Sequence, residues 1–340
     1  MSLQKEIFKK GNKGTALLEQ ALIEEQEDVD DSGKIIEEEA KKSNIRSFST
    51  LAYDIQGKSA NNSSPLFVLH HGVGYSALSF ALAALHIKNL TNGESTIFAY
   101  DFRGHGKTKT SDDLNLSLEQ LSQDLVDVLK AAFGNDVITN REIFLVGHSV
   151  GGCVVADAMS RKLIPSVTCM AVIDVVEGSA MEALSNMRNF CRNRPSEFKT
   201  LEDAILWSKK SGSIRNIESA RISIPCLLIE QETHTNIKKY TWRTDLAATQ
   251  PHWEEWFSGM SEKFLSSNAA KLLILAGTDR LDKPLTIAQM QGKYQLVVLP
   301  EAGHMVQEDM PERTASALVD FWKRNEKLIL PVKKPFINDK

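Results

Sequence analysis

The segment Gly147-His148-Ser149-Val150-Gly151 is a G-x-S-x-G pattern that directly follows the apolar run Ile143–Val146. This pattern is typical of a nucleophile elbow, a sharp turn from a buried strand into a helix that holds a serine hydroxyl above a sheet. It also occurs in ordinary glycine-rich turns. It therefore predicts a serine hydrolase only if the chain also supplies a base, an acid and an oxyanion hole.

A serine hydroxyl is a weak nucleophile until a base removes its proton. His304 lies between the last predicted strand and the last predicted helix, which is where such folds place the base. His148 is inside the elbow, and we expect its side chain to point away from the base. His105 lies in the turn Asp101–Gly106, and we interpret it as a structural turn residue.

Two aspartates end or follow buried strands and could orient the histidine. Asp279 comes after the apolar run Leu272–Ala276, and Asp174 ends the run Thr168–Asp174. Either carboxylate could hold the imidazole in the required tautomer and stabilise its charged form. The residues alone slightly favour Asp279, because hydrolases of this shape often carry the acid after that strand.

An oxyanion hole requires two backbone N–H groups aimed at the charge that develops on the substrate. One is expected from Val150, the residue after the nucleophile. The second is expected from Val73, in the glycine loop His70–Gly74 that follows an early strand. The alternative for this loop is an ordinary glycine-rich turn.

Short apolar strands alternate with helical segments from Phe48 onward, which predicts an α/β fold with a mainly parallel sheet and helices on both faces. The order and spacing fit an α/β-hydrolase. Ser117 is expected to cap a helix, with Gln120 completing a capping box. The predicted strands are 66–70, 96–101, 143–146, 168–174, 271–276 and 295–299.

The hydrolase domain is predicted over residues 46–328, with a mostly helical cap insertion at about 178–267. The insertion holds every tryptophan except Trp322, and Thr233–Asn236 is predicted to be an exposed loop within it. Residues 1–45 contain an acidic tract with few large apolar residues and are predicted to form a mobile arm. Residues 329–340 are predicted to be a tail.

Composition excludes several classes of protein. The charged share of 25% and the apolar share of 42% are ordinary for a globular protein, and the net charge of −4 gives no reason to expect nucleic-acid binding. No apolar run is long enough for a membrane span or a secretory signal, so no membrane association is expected. Four isolated cysteines suit a reducing compartment, which predicts a cytoplasmic protein with the nucleus as a second compartment.

Several longer segments resemble the protein phosphatase methylesterase family, and the chain is similar to a fungal member from about Leu66 to Asn325. Few of these segments are general hydrolase features. They are His71–Phe80, Gly147–Gly152, Ile173–Gly178, Arg194-Pro195, Ile217–Arg221, Asp279–Lys283 and Gln289–Lys293.

The resemblance implies an enzyme that hydrolyses the methyl ester on the C-terminal leucine of the protein phosphatase 2A catalytic subunit, which is then both substrate and partner. It implies that the acid is Asp174 rather than Asp279. Gly72, Gln289 and Met290 lie in the matched segments and are candidate substrate-binding residues. Ester hydrolysis of this kind needs no metal and no cofactor.

Two other functions are compatible with the same residues. One is a general carboxylesterase for small molecules, built on the same fold. The other is a phosphatase-binding regulatory module in which esterase activity is secondary. The turnover of intact phosphatase, compared with that of its C-terminal peptide, separates the methylesterase from the general carboxylesterase. The regulatory module is tested with Ser149→Ala, by asking whether this variant still binds the phosphatase and whether it still demethylates it.

Overall fold

The computed structural model describes residues 45–47, 50–53, 64–232, 238–277 and 281–326. Apart from Ile45, the arm predicted over residues 1–45 lies outside these ranges. The tail predicted over residues 329–340 and the loop predicted at Thr233–Asn236 also lie outside them.

A seven-stranded sheet forms the centre of the fold, in the order β12-β11-β7-β6-β3-β4-β2. All neighbours pair in parallel except β2, which is antiparallel to β4 at one edge. Its strands are β2 (Thr50–Tyr53), β3 (Leu66–His70), β4 (Thr96–Tyr100), β6 (Ile143–His148), β7 (Val167–Ile173), β11 (Ala270–Leu275) and β12 (Gln295–Val298). A separate antiparallel pair joins β1 (Ile45–Ser47) to β5 (Lys109–Thr110).

Helices cover both faces of this sheet, as the uninterrupted apolar strands require. Leu66 and Val68 of β3 belong to one core cluster, with helices α2 (Leu118–Phe133) and α4 (Val150–Ser160). Phe67 and Leu69 of the same strand belong to the other cluster, with α1 (Ala81–Leu90) and α12 (Pro311–Asn325). The alternation of side chains along a strand sends successive residues to opposite faces, so every residue of β3 is buried. This confirms the predicted α/β-hydrolase fold.

Helix α2 begins as predicted at Ser117, whose hydroxyl accepts a hydrogen bond from the Gln120 N–H at 3.4 Å. The reciprocal half of the predicted capping box is not formed. The Gln120 side chain instead donates to Asp124 at 2.8 Å. Asp124 holds the buried Arg103 guanidinium in a bidentate pair, and its second role as acceptor draws the Gln120 amide away.

The chain between β7 and β11 forms the cap. Its helices are α5 (Glu177–Asn193), α6 (Leu201–Lys210), α7 (Ile217–Ser223), α8 (Trp253–Phe257) and α9 (Met260–Ser266). The sequence predicted mainly helix here, whereas the structure adds an antiparallel sheet of β8 (Glu197–Phe198), β10 (Lys238–Trp242) and β9 (Leu228–Glu232). These strands are short and half-exposed, so their hydrophobic pattern is weak.

The cap tryptophans divide between two cores. Trp207 and Trp242 pack in a small cluster within the cap, while Trp253 and Trp256 are buried in the main core under α4. The remaining helices are α3 (Val137–Asn140), α10 (Lys283–Met290) and α11 (Val306–Asp309). Within the described ranges, we find no helix with the length and apolar character needed to cross a membrane.

Candidate active site

Ser149 occupies a strained turn between β6 and α4. Its backbone has φ 52° and ψ −123°, in the left-handed half of conformational space that non-glycine residues seldom adopt. The Ser149 N–H donates to the Ile173 carbonyl at 2.9 Å, which holds the turn against β7. A Cβ on Gly151 would collide with the carbonyl oxygens of His70 and His71, so only glycine permits this approach.

His304 and Asp174 lie beside this turn and are hydrogen-bonded to each other. His304 Nδ1 is 2.8 Å from Asp174 Oδ2. The Asp174 side chain is fully buried, whereas the His304 side chain is 45% exposed. A buried carboxylate bonded to Nδ1 leaves Nε2 as the nitrogen that can accept a proton, which is the tautomer that a catalytic base needs.

Asp174 is held rigidly by the backbone of the next strand. Its own N–H donates to the Ile274 carbonyl at 2.8 Å, and its Oδ1 accepts the Ala276 N–H at 3.0 Å. Its φ of 51° turns the side chain out of β7 at the sheet edge. Asp279, the aspartate that residue order alone slightly favoured, lies outside the described residues.

His148 does not point away from His304, and the prediction that it would was wrong. The centroids of the two rings are 4.8 Å apart, and His148 Nε2 is 2.8 Å from the His304 carbonyl oxygen. His148 is the last residue of β6, where parallel strands bring this sheet edge and the His304 loop together. Among the described residues, no hydrogen bond joins the Ser149 hydroxyl to His304.

The predicted oxyanion loop is a tight turn. The Tyr75 N–H donates to the Gly72 carbonyl at 3.2 Å, and Gly74 has φ 81°, which glycine adopts without strain. The Gly74 N–H donates to His105 Nε2 at 2.7 Å. Within the described part of the chain, the Val73 and Val150 N–H groups have no such partner, so both remain able to bind an oxyanion.

His105 therefore does more than shape its own turn. Its Nδ1 is 2.9 Å from the Arg103 carbonyl, so the ring is neutral, with the proton on Nδ1 and the lone pair of Nε2 toward Gly74. Burial lowers the pKa of His105 to about 4, which keeps the ring neutral near pH 7. The sequence showed a histidine in a turn, and only the fold brings this turn against the oxyanion loop.

Two further contacts hold the flanks of the same loop. At its start, His71 Nε2 accepts the Phe102 N–H at 3.1 Å, and burial keeps the pKa of His71 well below 6.5. After it, Asp101 Oδ1 accepts the Ala77 N–H at 2.7 Å. The turn after β4 thus fixes the oxyanion loop at its start, its centre and its end.

The His304 loop is bound to the cap through Asp309. Asp309 Oδ2 accepts the Gly303 N–H at 2.7 Å, and its Oδ1 accepts the Arg215 N–H at 2.6 Å. The Arg215 guanidinium donates to the Glu301 carbonyl at 2.7 Å. Sequence reasoning missed Asp309 and Arg215, because their positions in the chain carry no signal that they meet.

Apolar packing joins the cap to both catalytic loops. Met305, which follows His304, is fully buried in the cap cluster, and Tyr75, directly after the oxyanion loop, packs against the same cluster. Next to it, the buried Glu308 accepts a hydrogen bond from Ser223 at 2.9 Å, and burial raises the pKa of Glu308 well above 4.5. The cap is therefore continuous with the walls of the site.

The three candidate substrate-binding residues lie in different surroundings. Gly72 is buried against the nucleophile, since a Cβ there would lie 3.0 Å from the Ser149 Cβ. Gln289 and Met290 end α10, both are exposed, and Met290 is 84% exposed. Met290 is thus a single exposed apolar side chain at the end of α10, which is common on protein surfaces.

The chain matches a sequence model of the alpha/beta hydrolase family over residues 67–317. It is 50% identical over 285 residues to protein phosphatase methylesterase 1 of Aspergillus fumigatus, covering 80% of this chain and 67% of that protein. The Schizosaccharomyces pombe protein of the same name is 47% identical, covering 79% of this chain and 77% of its own length. A probable protein phosphatase methylesterase 1 of Caenorhabditis elegans is 45% identical, and the match covers 76% of this chain and 69% of that protein.

Solved structures share the fold at much lower sequence identity. E-2-(acetamidomethylene)succinate hydrolase superposes with a TM-score of 0.61 at 18% identity, covering 82% of this chain and all of that one (100%). An esterase of M. tuberculosis gives a TM-score of 0.58 at 17% identity, and the superposition covers 87% of this chain and 99% of that one. At this identity, the likeness shows the fold alone.

Proposed function

The chain belongs to the protein phosphatase methylesterase family and is a carboxylic ester hydrolase, and from this premise we propose that it demethylates the C-terminal leucine of the protein phosphatase 2A catalytic subunit. Water and the leucine methyl ester are consumed, and a free carboxylate and methanol are produced. We assign the nucleophile to Ser149, the base to His304 and the acid to Asp174.

The proposed reaction has two acyl-transfer steps. His304 Nε2 takes the Ser149 proton while the hydroxyl oxygen attacks the ester carbonyl, and the oxyanion binds the Val73 and Val150 N–H groups. The proton then passes to the departing methoxide, which leaves as methanol. A water molecule, deprotonated by the same imidazole, hydrolyses the acyl-enzyme and restores the serine. Asp174 stabilises the imidazolium that forms in each step.

The observation that carries this proposal is the meeting of three groups at one sheet edge. A serine in a strained left-handed turn and a histidine bonded to a buried carboxylate at 2.8 Å lie there. The third group is the pair of Val73 and Val150 N–H groups, which have no hydrogen-bond partner among the described residues; Val150 follows the serine, and Val73 follows Gly72, which packs against the serine. Ordinary glycine-rich turns do not require this combination. Burial of the carboxylate also favours a strong hydrogen bond to the imidazolium.

A protein substrate is supported by the sequence relatives, which are named for action on a protein phosphatase. We place the reaction in the cytoplasm, with the nucleus as a second compartment, because all four cysteines are free thiols.

The test is release of methanol from methylated phosphatase 2A catalytic subunit by the wild-type chain, Ser149→Ala and a control, Ser160→Ala. Ser160 ends the same helix, and its hydroxyl donates to the Asp157 carbonyl at 2.9 Å, within its own helix. We expect Ser149→Ala to lose activity by several orders of magnitude and to keep its affinity for the phosphatase, while Ser160→Ala keeps activity. Persistent demethylation by Ser149→Ala would refute the assignment of the nucleophile.

The substrate is tested separately by comparing kcat/KM for intact methylated phosphatase with that for its C-terminal peptide ester. A much higher value for the intact protein is expected if the phosphatase surface contributes binding energy. Rapid turnover of small esters with no turnover of either phosphatase substrate would indicate the general carboxylesterase instead. Tight phosphatase binding without demethylation would indicate the regulatory module.

A further inference from the structure

Arg188, Arg192 and Arg194 lie together at the C-terminal end of α5 and just beyond it. Among the residues that the structure describes, none of these guanidinium groups makes a hydrogen bond or an ion pair within 4.0 Å. Every other arginine whose side chain is described donates at least one hydrogen bond. Unpaired arginines are thus concentrated on one segment.

Arg194 is the half-buried member of this group and is held in place by aromatic stacking. Its Cζ lies 3.6 Å from the centroid of the Trp242 ring, and the Trp242 indole N–H donates to the Pro195 carbonyl at 2.6 Å. Stacking occupies one face of the guanidinium and leaves its in-plane N–H groups able to donate. Burial lowers the pKa of Arg194 to about 10, so the group stays charged at neutral pH.

The carboxylate of Asp245 is near enough to favour the charged form of Arg194, but it does not bind the guanidinium directly. Asp245 Oδ1 accepts the N–H groups of Ala247 and Ala248, at 2.9 and 3.3 Å, and forms no ion pair with Arg194 within 4.0 Å. A half-buried guanidinium that has an aromatic face but no anion beside it has lost part of its hydration, and a carboxylate that binds its N–H groups in a bidentate manner offsets that loss. The group is thus prepared for an anion from outside the chain.

This cation lies on the catalytic side of the cap. Tyr75, directly after the oxyanion loop, and Trp242, on which Arg194 stacks, pack against the same apolar cluster. Helix α5 itself starts three residues after Asp174, and Met181, Leu184 and Met187 pack against the same core as Val73. Helix α5 therefore extends from the residues around Asp174 to Arg194.

We propose that Arg194, with Arg188 and Arg192 beside it, binds an acidic side chain of the protein substrate close to its esterified C-terminus. This inference rests on the proposed function and specifies which substrates the site prefers. Phe190, 42% exposed between these arginines, adds an apolar contact that suits a peptide rather than an inorganic anion. The cluster spans one helix end and is too small for a nucleic-acid backbone, which requires a longer basic surface.

The expected effect is on substrate binding rather than on chemistry. A bidentate pair at a half-buried arginine corresponds to about 1.4 kcal/mol, or about tenfold in affinity. Because this contact is the same in the ground state and the transition state, its loss raises KM and leaves kcat unchanged.

The test uses peptide methyl esters that end in leucine and carry a single Asp, or Asn or Lys at the same place, at each of the second to fifth positions from the C-terminus. Wild type, Arg194→Gln and Arg194→Glu are compared with Arg221→Gln. Arg221 is a cap arginine already paired with Glu218 at 2.6 Å, so it is the matched control. Turnover of p-nitrophenyl acetate and the free energy of unfolding verify that each variant is folded.

Wild type and Arg221→Gln are expected to prefer the Asp peptide by about tenfold in KM at one position. Arg194→Gln should lose this preference, and Arg194→Glu should prefer a Lys peptide. Equal KM for Asp and Asn at all positions, or a preference that survives in Arg194→Gln, would overturn the proposal.

Binding of the same peptides to Ser149→Ala, followed by fluorescence polarisation, separates this inference from the proposed function. If no peptide ester is hydrolysed, the proposed function fails, and the polarisation assay alone decides on the acidic subsite. A tenfold preference for Asp that requires Arg194 supports the subsite, and equal affinities refute it.

Discussion

Replacing His105 should impair catalysis without touching any residue of the proposed triad. In the structure, His105 Nε2 accepts the Gly74 N–H at 2.7 Å, one residue from the Val73 N–H that we assign to the oxyanion hole. His105→Ala removes this acceptor. An unpaired buried N–H costs about 1–3 kcal/mol of stability, and the loop can turn its peptide groups to recover a partner.

The loss of kcat is bounded by the value of an oxyanion donor. Outright removal of one donor costs about 10²–10³ in kcat, so a displaced Val73 N–H should cost somewhat less, about 10- to 100-fold. His105→Gln places an amide oxygen near the position of Nε2 and should retain most of the activity. His86→Ala, on the half-exposed side of α1, is the matched control.

The pH dependence of stability gives a second measurement on the same residue. The unfolded histidine binds a proton near pH 6.5, and folded His105 binds one only near pH 4, so its contribution to stability is fully present above 6.5 and is lost as the pH falls toward 4. Between pH 7.5 and 5.5, one such group removes about 1 kcal/mol from the free energy of unfolding. Over the same pH range, the free energy of unfolding of His105→Gln should fall by about 1 kcal/mol less than that of the wild type.

The assays are steady-state kinetics on a leucine methyl ester and urea unfolding at the two pH values. A trifluoromethyl ketone, which mimics the oxyanion, should bind His105→Ala more weakly in proportion to the loss of kcat/KM. If His105→Ala keeps wild-type kcat, or if His105→Gln is as impaired as His105→Ala while both are folded, the reasoning about the loop is wrong.

Three further predictions concern the acid, the cap and a buried carboxyl group. Asp174→Asn should lower kcat by about 10⁴ by stabilising the wrong histidine tautomer, while Asp279→Asn keeps kcat; the reverse result, in steady-state ester hydrolysis, would refute the assignment. Met305→Ala should lower the free energy of unfolding by about 2–5 kcal/mol, because Met305 is fully buried in the cap cluster. In the same urea-unfolding assay, Met290→Ala, at an exposed position, should change this free energy by less than about 0.5 kcal/mol. The raised pKa of Glu308 means that the folded state favours its protonated carboxyl group. The stability that this group contributes is present below about pH 4.3 and is lost as the pH rises. The stability of Glu308→Gln relative to wild type should therefore increase with pH, and a pH-independent difference would contradict this.

Much of the fold was predictable because its strands are continuous apolar runs. The runs at 66–70 and 143–146 match β3 and β6 within two residues, since a strand buried on both faces leaves little choice of residue. The small cap sheet was not predicted. Its strands β8, β9 and β10 alternate weakly and are half-exposed, so tertiary contacts rather than sequence pattern define them.

The candidate site divides in the same way. Ser149 and His304 were identifiable because their local patterns, an elbow and a histidine after the last strand, imply their positions. Residue order slightly favoured Asp279 over Asp174, because both aspartates follow predicted parallel strands and only the usual position of the acid in such folds distinguished them. The resemblance favoured Asp174, and the 2.8 Å contact with His304 places this carboxylate beside the imidazole.

The sequence by itself determined which residues form the central strands, where the elbow lies and to which family the chain belongs. These features depend on local pattern and on matched segments. Only the tertiary structure decided which distant groups meet: His105 with Gly74, Asp309 with Arg215, and His148 with His304. The physical reason is that a hydrogen bond acts over about 3 Å, whereas the partners are separated by many residues along the chain. Their encounter depends on the packing of whole elements, which no short segment encodes.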